Sequence, residues 1–359
     1  MQTNPGFQKS PYIQWLRGIA AMAVVVFHAS VYLARDTGND SFSAVFGGIF
    51  GLLGVAVFFA ISGALMADLA RRSGPDLFLA HRLARIYPAF ALVFLTVSML
   101  NTGALHGDVR ALSLGLVGRR ADYVLGIEWT LVAEVFFYVL LYGLCTLRLT
   151  RWLEAFACLW LGAIVATTSL TYASADGTLF PTLSQVLLLP ANASFAGGLL
   201  IPAIIRQTGF SPALGALAIG CVVSAIFVDL DLARLPGAVA AVIIVGLAFQ
   251  RSPPKPTTSV FGRALERMGD WSYGLYLCHV PVILLVYRLL PAAPPPLLWF
   301  LAVGSAVAIS IPVGMLDVWL YRRLRRRVNG LRPLALAIFA RGYFLAYLAL
   351  GIIFLFKQH

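Results

Sequence analysis

WLRGIAAMAVVVFHAS, residues 15–30, is an apolar segment that has an arginine near its start and a histidine near its end. Ten mostly hydrocarbon residues separate Arg17 from His28. Ionisable side chains are costly inside a bilayer and usually mark a functional site there. Eleven residues of α-helix make about three turns and rise about 16 Å, so Arg17 and His28 share one face at different depths.

The composition of the whole chain is that of a membrane protein. Of its 359 residues, 60% are hydrophobic and 12% are charged, which is about half the charge of a typical soluble domain. Many apolar stretches approach the length of about 20 residues that crosses a hydrocarbon core as a helix. We therefore predict an all-α, polytopic bundle of about 10–11 transmembrane helices.

The apolar runs predict about eleven spans, and the last of them is separable from the others. We predict a transmembrane domain over residues 1–333 and an additional C-terminal helix with its tail over residues 334–359. The predicted spans cover residues 13–34, 44–68, 82–100, 128–147, 152–172, 182–205, 211–228, 234–250, 270–290, 296–320 and 334–356.

The distribution of basic residues predicts the orientation of the bundle. With the N-terminus in the cytoplasm, most of the 27 lysines and arginines fall on the cytoplasmic side, as the positive-inside rule requires. The net charge of +12 is explained by this topology and by attraction to anionic lipid headgroups. We therefore expect membrane lipid, and no nucleic acid, among the partners.

Two further spans carry charged residues that need partners. Arg82 and Arg85 open the third span in "HRLARIYP" as i,i+3 neighbours. They satisfy the orientation rule, and their guanidinium groups would also fit a phosphate. Glu134, in "EWTLVAEVFFY", lies about two turns deep in the fourth span. That depth is close to the depth of His28, and an imidazole is a natural partner for the carboxylate.

Polar residues of the later spans have structural or functional interpretations. In "GDWSYGLYLCHVPV", Ser272, Tyr276 and His279 form a stripe that must face protein or a water-filled cavity. Asp317 precedes the basic run "YRRLRRR", where an ion pair is the simplest expectation. Ser62, in "GVAVFFAISGALM", lies next to Gly63, which favours close packing of helices.

Together these segments resemble the acyltransferase-3 family of integral membrane acyltransferases. The similarity runs from Tyr12 to the basic run near Arg327, and "LRGIAAMAVVVFH", "GVAVFFAISGALM", "RLARIYP", "EWTLVAEVFFY" and "GDWSYGLYLCHVPV" follow in the order of the family. The resemblance implies a bundle of about ten helices that uses cytoplasmic acyl-CoA, commonly acetyl-CoA. Two features depart from the family pattern, because Asp317 stands where many members have Glu-x-Pro and the helix 334–356 is additional.

The resemblance assigns activity to the Arg17 and His28 positions and donor binding to the Arg82 and Arg85 positions. We hypothesise that His28 is the general base that takes the proton of an acceptor hydroxyl, with Glu134 orienting its imidazole. His279 is the rival base. The candidates for binding the acetyl-CoA donor or the developing oxyanion are Arg17, Arg82, Arg85, Ser62, Tyr276 and Ser272.

The expected acceptor is a hydroxyl of a glycan or a lipid-linked saccharide, with extracellular polysaccharide favoured. The resemblance further implies the bacterial inner membrane, and a homodimer is the usual expectation for a homo-oligomer. No cysteine or histidine spacing predicts a metal site. A secondary transporter with buried Arg, His and Glu is the competing class, and succinyl-CoA as donor or a macrolide-like small molecule as acceptor are further alternatives.

Overall fold

The computed structural model describes residues 10–103, 107–170, 180–251 and 259–356. The last two residues of the predicted span 152–172 lie outside these ranges. The same holds for residues 1–9 of the predicted main domain and residues 357–359 of the predicted C-terminal tail.

The described residues form an all-α protein without strands. Its helices, numbered in chain order, are α1 Pro11–Thr37, α2 Ser41–Val45, α3 Gly48–Arg72, α4 Pro75–Thr102, α5 Val109–Ser113, α6 Glu128–Thr146, α7 Leu153–Leu170, α8 Asn192–Gln207, α9 Leu214–Ile226, α10 Leu230–Gln250, α11 Val260–Leu289, α12 Pro295–Asn329 and α13 Pro333–Phe356.

Within the described ranges, 9 helices are long and apolar enough to cross a membrane, which confirms the polytopic bundle. Two of the predicted spans are wrong in length. The segment 182–205 has only a short 3-10 helix, Val186–Leu188, before α-helix begins at Asn192, because Pro190 disfavours helix in the residue before it. The segment 211–228 yields 13 helical residues in α9, which span about 20 Å, short of the hydrocarbon core.

Prolines and glycines set the ends of the helices that build the site. Pro11 and Pro75 begin α1 and α4, where the missing N–H costs nothing because it would have no partner in the helix. Gly38 and Gly103 end the same two helices with a left-handed φ of 71°, the conformation that glycine adopts most easily. α4 therefore starts well before the predicted span 82–100.

Helices α1 and α11 run parallel and in register. Gly18 of α1 lies against Gly269 of α11, and a Cβ added to Gly269 would clash with the carbonyl oxygen of Gln14. The absence of a side chain at residue 269 therefore allows the two backbones to approach closely. Because the register continues along the helices, His28 of α1 meets His279 of α11.

Close approach of backbones also joins α3 to α8, as predicted for this part of α3. A Cβ on Gly63 would lie 2.9 Å from the Cα of Gly198. α4 and α12 run antiparallel, and His81 Nε2 lies 2.8 Å from Asn329 Oδ1 at one end of the pair. The C-terminal helix α13 packs on α4 through the hydroxyls of Tyr343 and Tyr87, which are 2.8 Å apart.

Candidate active site

A cavity of about 140 Å³ lies between helices α1, α3, α4, α6 and α11. This volume is far larger than the space that one water molecule needs. Among the described residues, the cavity brings together every predicted site residue except His28 and the rival base His279. The predicted residues in its lining are Arg17, Ser62, Arg82, Arg85, Glu134, Ser272 and Tyr276.

Arg85 is already paired within the protein. Its Nη1 donates to both carboxylate oxygens of Asp317, at 2.7 and 2.6 Å. The side chain of Asp317 is 2% exposed, and the ring of Tyr273 lies 4.9 Å from the guanidinium carbon of Arg85. The ion pair expected at Asp317 is confirmed, but its partner is on α4 rather than in the adjacent basic run.

Arg17 and Arg82 retain free donor capacity. The Nε of Arg82 is buried, and the part of the chain that the structure describes supplies no hydrogen-bond acceptor for it. The structure records neither a hydrogen bond nor an ion pair for Arg17 within the same described ranges. Guanidinium groups without an acceptor favour an anionic ligand, because a buried donor left unpaired is costly.

Glu134 is held by neighbours other than the one expected from its depth. Tyr138 donates its hydroxyl to Oε1 of Glu134, and Ser62 Oγ lies 3.5 Å from the same oxygen. The expected contact of Glu134 with His28 is absent among the described residues, because the His28 imidazole faces α11. Sequence reasoning missed Tyr138, although its i,i+4 spacing from Glu134 on α6 would have predicted the contact.

The imidazoles of His28 and His279 form a pair between α1 and α11. His28 Nδ1 lies 3.1 Å from His279 Nε2 and 3.0 Å from the carbonyl oxygen of Val24. His279 is 0% exposed, whereas His28 is partly exposed. Matched depth, the argument that pointed to Glu134, applies equally to His279, but helix packing was needed to choose between them.

Tyr276 connects the histidine pair to the cavity. Its ring centroid is 5.7 Å from that of His279, and its hydroxyl lies 2.7 Å from Thr130 Oγ1. The Thr130 hydroxyl donates to the carbonyl oxygen of Ile127, so the shared proton must come from Tyr276. The Tyr276 side chain therefore contacts both the cavity and the ring of His279.

The other candidate donors for an oxyanion are also engaged. Ser272 is fully buried and donates to the carbonyl oxygen of Gly269 at 2.8 Å. The hydroxyl of Ser62 points towards Glu134, and the 3.5 Å separation makes this the weakest of the contacts. Ser62 is therefore the candidate whose hydroxyl can be redirected at the lowest cost.

Among the described residues, no group of three His, Cys, Asp or Glu side chains is placed to hold a metal ion. A family profile described as an acyltransferase domain, Acyl_transf_3, matches residues 10–315. The matched region includes all the residues of the cavity and the histidine pair, and it ends just before Asp317. Neither a search of curated proteins nor a search of solved structures gives a match to the chain.

Proposed function

Because the chain belongs to the acyltransferase-3 family of membrane acyltransferases, we propose that it transfers an acetyl group from acetyl-CoA to a hydroxyl. The observation that carries the proposal is the cavity, because its wall contains the guanidinium groups of Arg17 and Arg82 and also Tyr276, whose ring contacts that of His279. The transfer needs cations for the phosphates of an anionic thioester donor and a base for the acceptor hydroxyl.

Arg17 and Arg82 are the proposed ligands for the phosphates of coenzyme A. Both have free donors, and Arg17 lies about 16 Å of helix rise below His28. This distance suits a donor whose thioester is far from its nucleotide. Arg85 lines the same cavity, but its hydrogen bonds remain with Asp317, which neutralises its charge.

His28 is the proposed general base, in preference to His279. Substrate can reach a base only from an accessible side, and of the two histidines only His28 is a partly exposed residue. In the described part of the chain, His28 Nε2 has no hydrogen-bond partner, so this nitrogen is available to a hydroxyl. Glu134 then has a different role from the one expected, as part of the cavity wall with Tyr138.

The proposed reaction is a direct transfer. His28 Nε2 takes the proton of the acceptor hydroxyl while the hydroxyl oxygen bonds to the thioester carbonyl carbon. The resulting tetrahedral oxyanion collapses, the carbon–sulfur bond breaks, and the thiolate of coenzyme A receives the proton back from the imidazolium. Tyr276, Ser272 and Ser62, which line the cavity, are the candidates to donate a hydrogen bond to the oxyanion.

The acceptor is proposed to be a glycan or a lipid-linked saccharide, with extracellular polysaccharide as the preferred class. The site of action is proposed to be the bacterial inner membrane, with the acyl donor arriving from the cytoplasm. This arrangement follows from the basic residues, because Arg17 and Arg82 lie at the end of the bundle that the charge pattern assigns to the cytoplasm.

The experiment measures coenzyme A release from acetyl-CoA by the purified full-length protein in lipid nanodiscs, with and without polysaccharide. For His28→Gln we expect kcat to fall about 100- to 10,000-fold, the usual value of a general base, while coenzyme A still binds. Ser30→Ala is the matched control on α1, because Ser30 bonds to Val26 and Trp299 outside the cavity.

Turnover by the wild type and the Ser30→Ala variant, with loss in His28→Gln, supports the proposal. Equal rates in the wild type and His28→Gln would remove His28 as the base. If equilibrium dialysis detects no binding of coenzyme A, acetyl-CoA or succinyl-CoA, the donor assignment is wrong.

A further inference from the structure

We propose that His279 is a positioning residue that acts through His28, by accepting the Nδ1–H of His28 and leaving His28 Nε2 as the proton acceptor. The hydrogen-bond arrangement follows from the geometry alone. Its consequence for catalysis rests on the proposed acyl transfer, so the two parts are tested by different measurements.

The proton of His279 can be located from its neighbours. His279 Nδ1 lies 2.8 Å from the carbonyl oxygen of Tyr276 and 3.2 Å from that of Leu275. Carbonyl oxygens only accept hydrogen bonds, so Nδ1 must carry the proton. A neutral imidazole has one N–H, and His279 Nε2 therefore presents its lone pair to His28.

The proton of His28 follows from the same reasoning. Its Nδ1 faces two acceptors, the carbonyl oxygen of Val24 at 3.0 Å and the lone pair of His279 Nε2 at 3.1 Å. A proton on Nδ1 satisfies both acceptors. The opposite tautomer of His28 would set its Nδ1 lone pair against both of them. His28 Nε2 is consequently unprotonated in the neutral ring and can take a proton from a hydroxyl.

The pair serves the function that a carboxylate serves in a hydrolase triad, but without a negative charge. When His28 Nε2 takes a proton, the ring becomes a cation whose Nδ1–H is shared between Val24 and His279. A carboxylate in the fully buried position of His279 would pay a large desolvation cost. A neutral imidazole stabilises the cation and fixes the plane of the His28 ring without that cost.

The first test reads the tautomers directly, without any acyl transfer. The protein is labelled with ¹⁵N only in its five histidines, and His28→Gln and His279→Gln assign the two rings in the nitrogen spectrum. We expect the Nδ1–H tautomer in both rings, with a scalar coupling through the N–H···N bond. A proton on Nε2 of the neutral His28 ring would overturn the proposal, whatever the protein catalyses.

The second test separates a hydrogen-bond acceptor from a proton carrier. His279→Leu removes the acceptor, whereas His279→Gln replaces it with a side-chain carbonyl that cannot titrate. For His279→Leu we expect kcat to fall about 10- to 100-fold, the value of a hydrogen bond to a charged group. We expect an unchanged KM for acetyl-CoA and recovery of most of the rate in His279→Gln.

Cys278→Ala is the matched control, because Cys278 is the adjacent buried residue of α11 and contributes to neither the cavity nor the pair. Its kcat should equal that of the wild type. Equal loss of rate in His279→Gln and His279→Leu would contradict the positioning role, because it would make the titratable nitrogen itself essential. A wild-type rate in a folded His279→Leu protein would contradict it as well.

Discussion

Arg82 and Arg85 lie one turn apart on α4, and the structure gives them different surroundings. The guanidinium of Arg85 is bonded to Asp317 and covered by the ring of Tyr273. Arg82 has a buried Nε without an acceptor among the described residues and faces the same cavity. The partner on α12, rather than the spacing on α4, therefore decides which arginine is free to bind a ligand.

The difference assigns the two arginines to separate tasks. The Arg85–Asp317 pair joins α4 to α12 and keeps a buried cation neutralised, which makes it a structural contact with an electrostatic effect on the cavity. Arg82, together with Arg17, is left to meet the anionic donor. A buried ion pair adds little net stability over apolar packing, but removal of one partner is costly.

The largest effect should come from breaking the Arg85 pair. Asp317→Asn leaves the mostly buried guanidinium of Arg85 without its counter-charge, and we expect a loss of about 3–5 kcal/mol in the free energy of unfolding. Unfolding in a denaturant titration of the solubilised protein measures this loss.

Asp68→Asn is the control, because Asp68 forms an i,i+4 pair with the exposed Arg72 at 2.8 Å. Such surface pairs contribute at most about 1 kcal/mol. Similar losses for Asp317→Asn and Asp68→Asn would show that the buried pair is not a structural contact.

The next effect separates Arg82 from Arg85 by ligand binding. For Arg82→Gln we expect the Kd of coenzyme A to rise about 10- to 100-fold, the value of a charge-assisted hydrogen bond. The unfolding midpoint should not change, because no internal contact of the Nε is lost. Equilibrium dialysis and a thermal melt of the same preparation measure both quantities.

For Arg85→Gln the pattern should reverse, with a lower unfolding midpoint and a smaller change in Kd. If instead Arg82→Gln destabilises the fold and Arg85→Gln abolishes binding, the assignment of the two arginines is exchanged.

A smaller effect is expected from the aromatic ring beneath Arg85. Tyr273→Phe keeps the ring but removes the hydroxyl that donates to the carbonyl oxygen of Ile86 at 2.9 Å. We expect this change to lower the free energy of unfolding by about 1 kcal/mol. Tyr273→Leu also removes the cation–π contact and should cost about 0.5–2 kcal/mol more. Equal stabilities for the two variants would show that the ring does not stabilise Arg85.

The smallest effect concerns an ion pair outside the predicted spans. Hydrogen bonds from the Arg110 guanidinium, helped by the backbone N–H of Asp122, lower the pKa of Asp108 from its ordinary 3.8 to about 2. The pKa of Asp108 is lower in the folded than in the unfolded protein. The ionised carboxylate therefore stabilises the folded state above about pH 4, and this contribution is lost as the pH falls towards 2.

A pH series of thermal melts on the wild type and Asp108→Asn checks this expectation. The difference in Tm between them should shrink below pH 4 and should also decrease with added salt, because Arg110 is exposed. A difference that stays constant over this pH range would contradict the lowered pKa. The Arg85–Asp317 pair, by contrast, should be insensitive to salt.

The sequence predicted much of the fold, because apolar length, charge bias and motif order are local features. It placed Arg17, Arg82 and Glu134 on their helices, and the structure brings all three to one cavity. It failed where proline interrupts an apolar run, as at Pro190, since apolar length alone does not measure the helical part of a segment.

The pairings between helices could not be predicted, because they depend on rotation and register rather than on composition. Glu134 was expected at His28, but α1 and α11 pack in parallel register and supply His279 instead. Asp317 was expected to form an ion pair, and the antiparallel packing of α4 and α12 supplies Arg85 as its partner. In both cases the sequence predicted that the residue needs a partner, whereas helix packing determines which residue that is.

The decisive measurement is a cryo-EM structure of the full-length protein in nanodiscs with coenzyme A bound. We expect its phosphates within hydrogen-bond distance of Arg82 and Arg17, the pantetheine arm directed to Tyr276, and the Arg85–Asp317 pair intact. Coenzyme A bound outside this cavity, or Arg85 leaving Asp317 for the phosphates while Arg82 stays unpaired, would contradict the account.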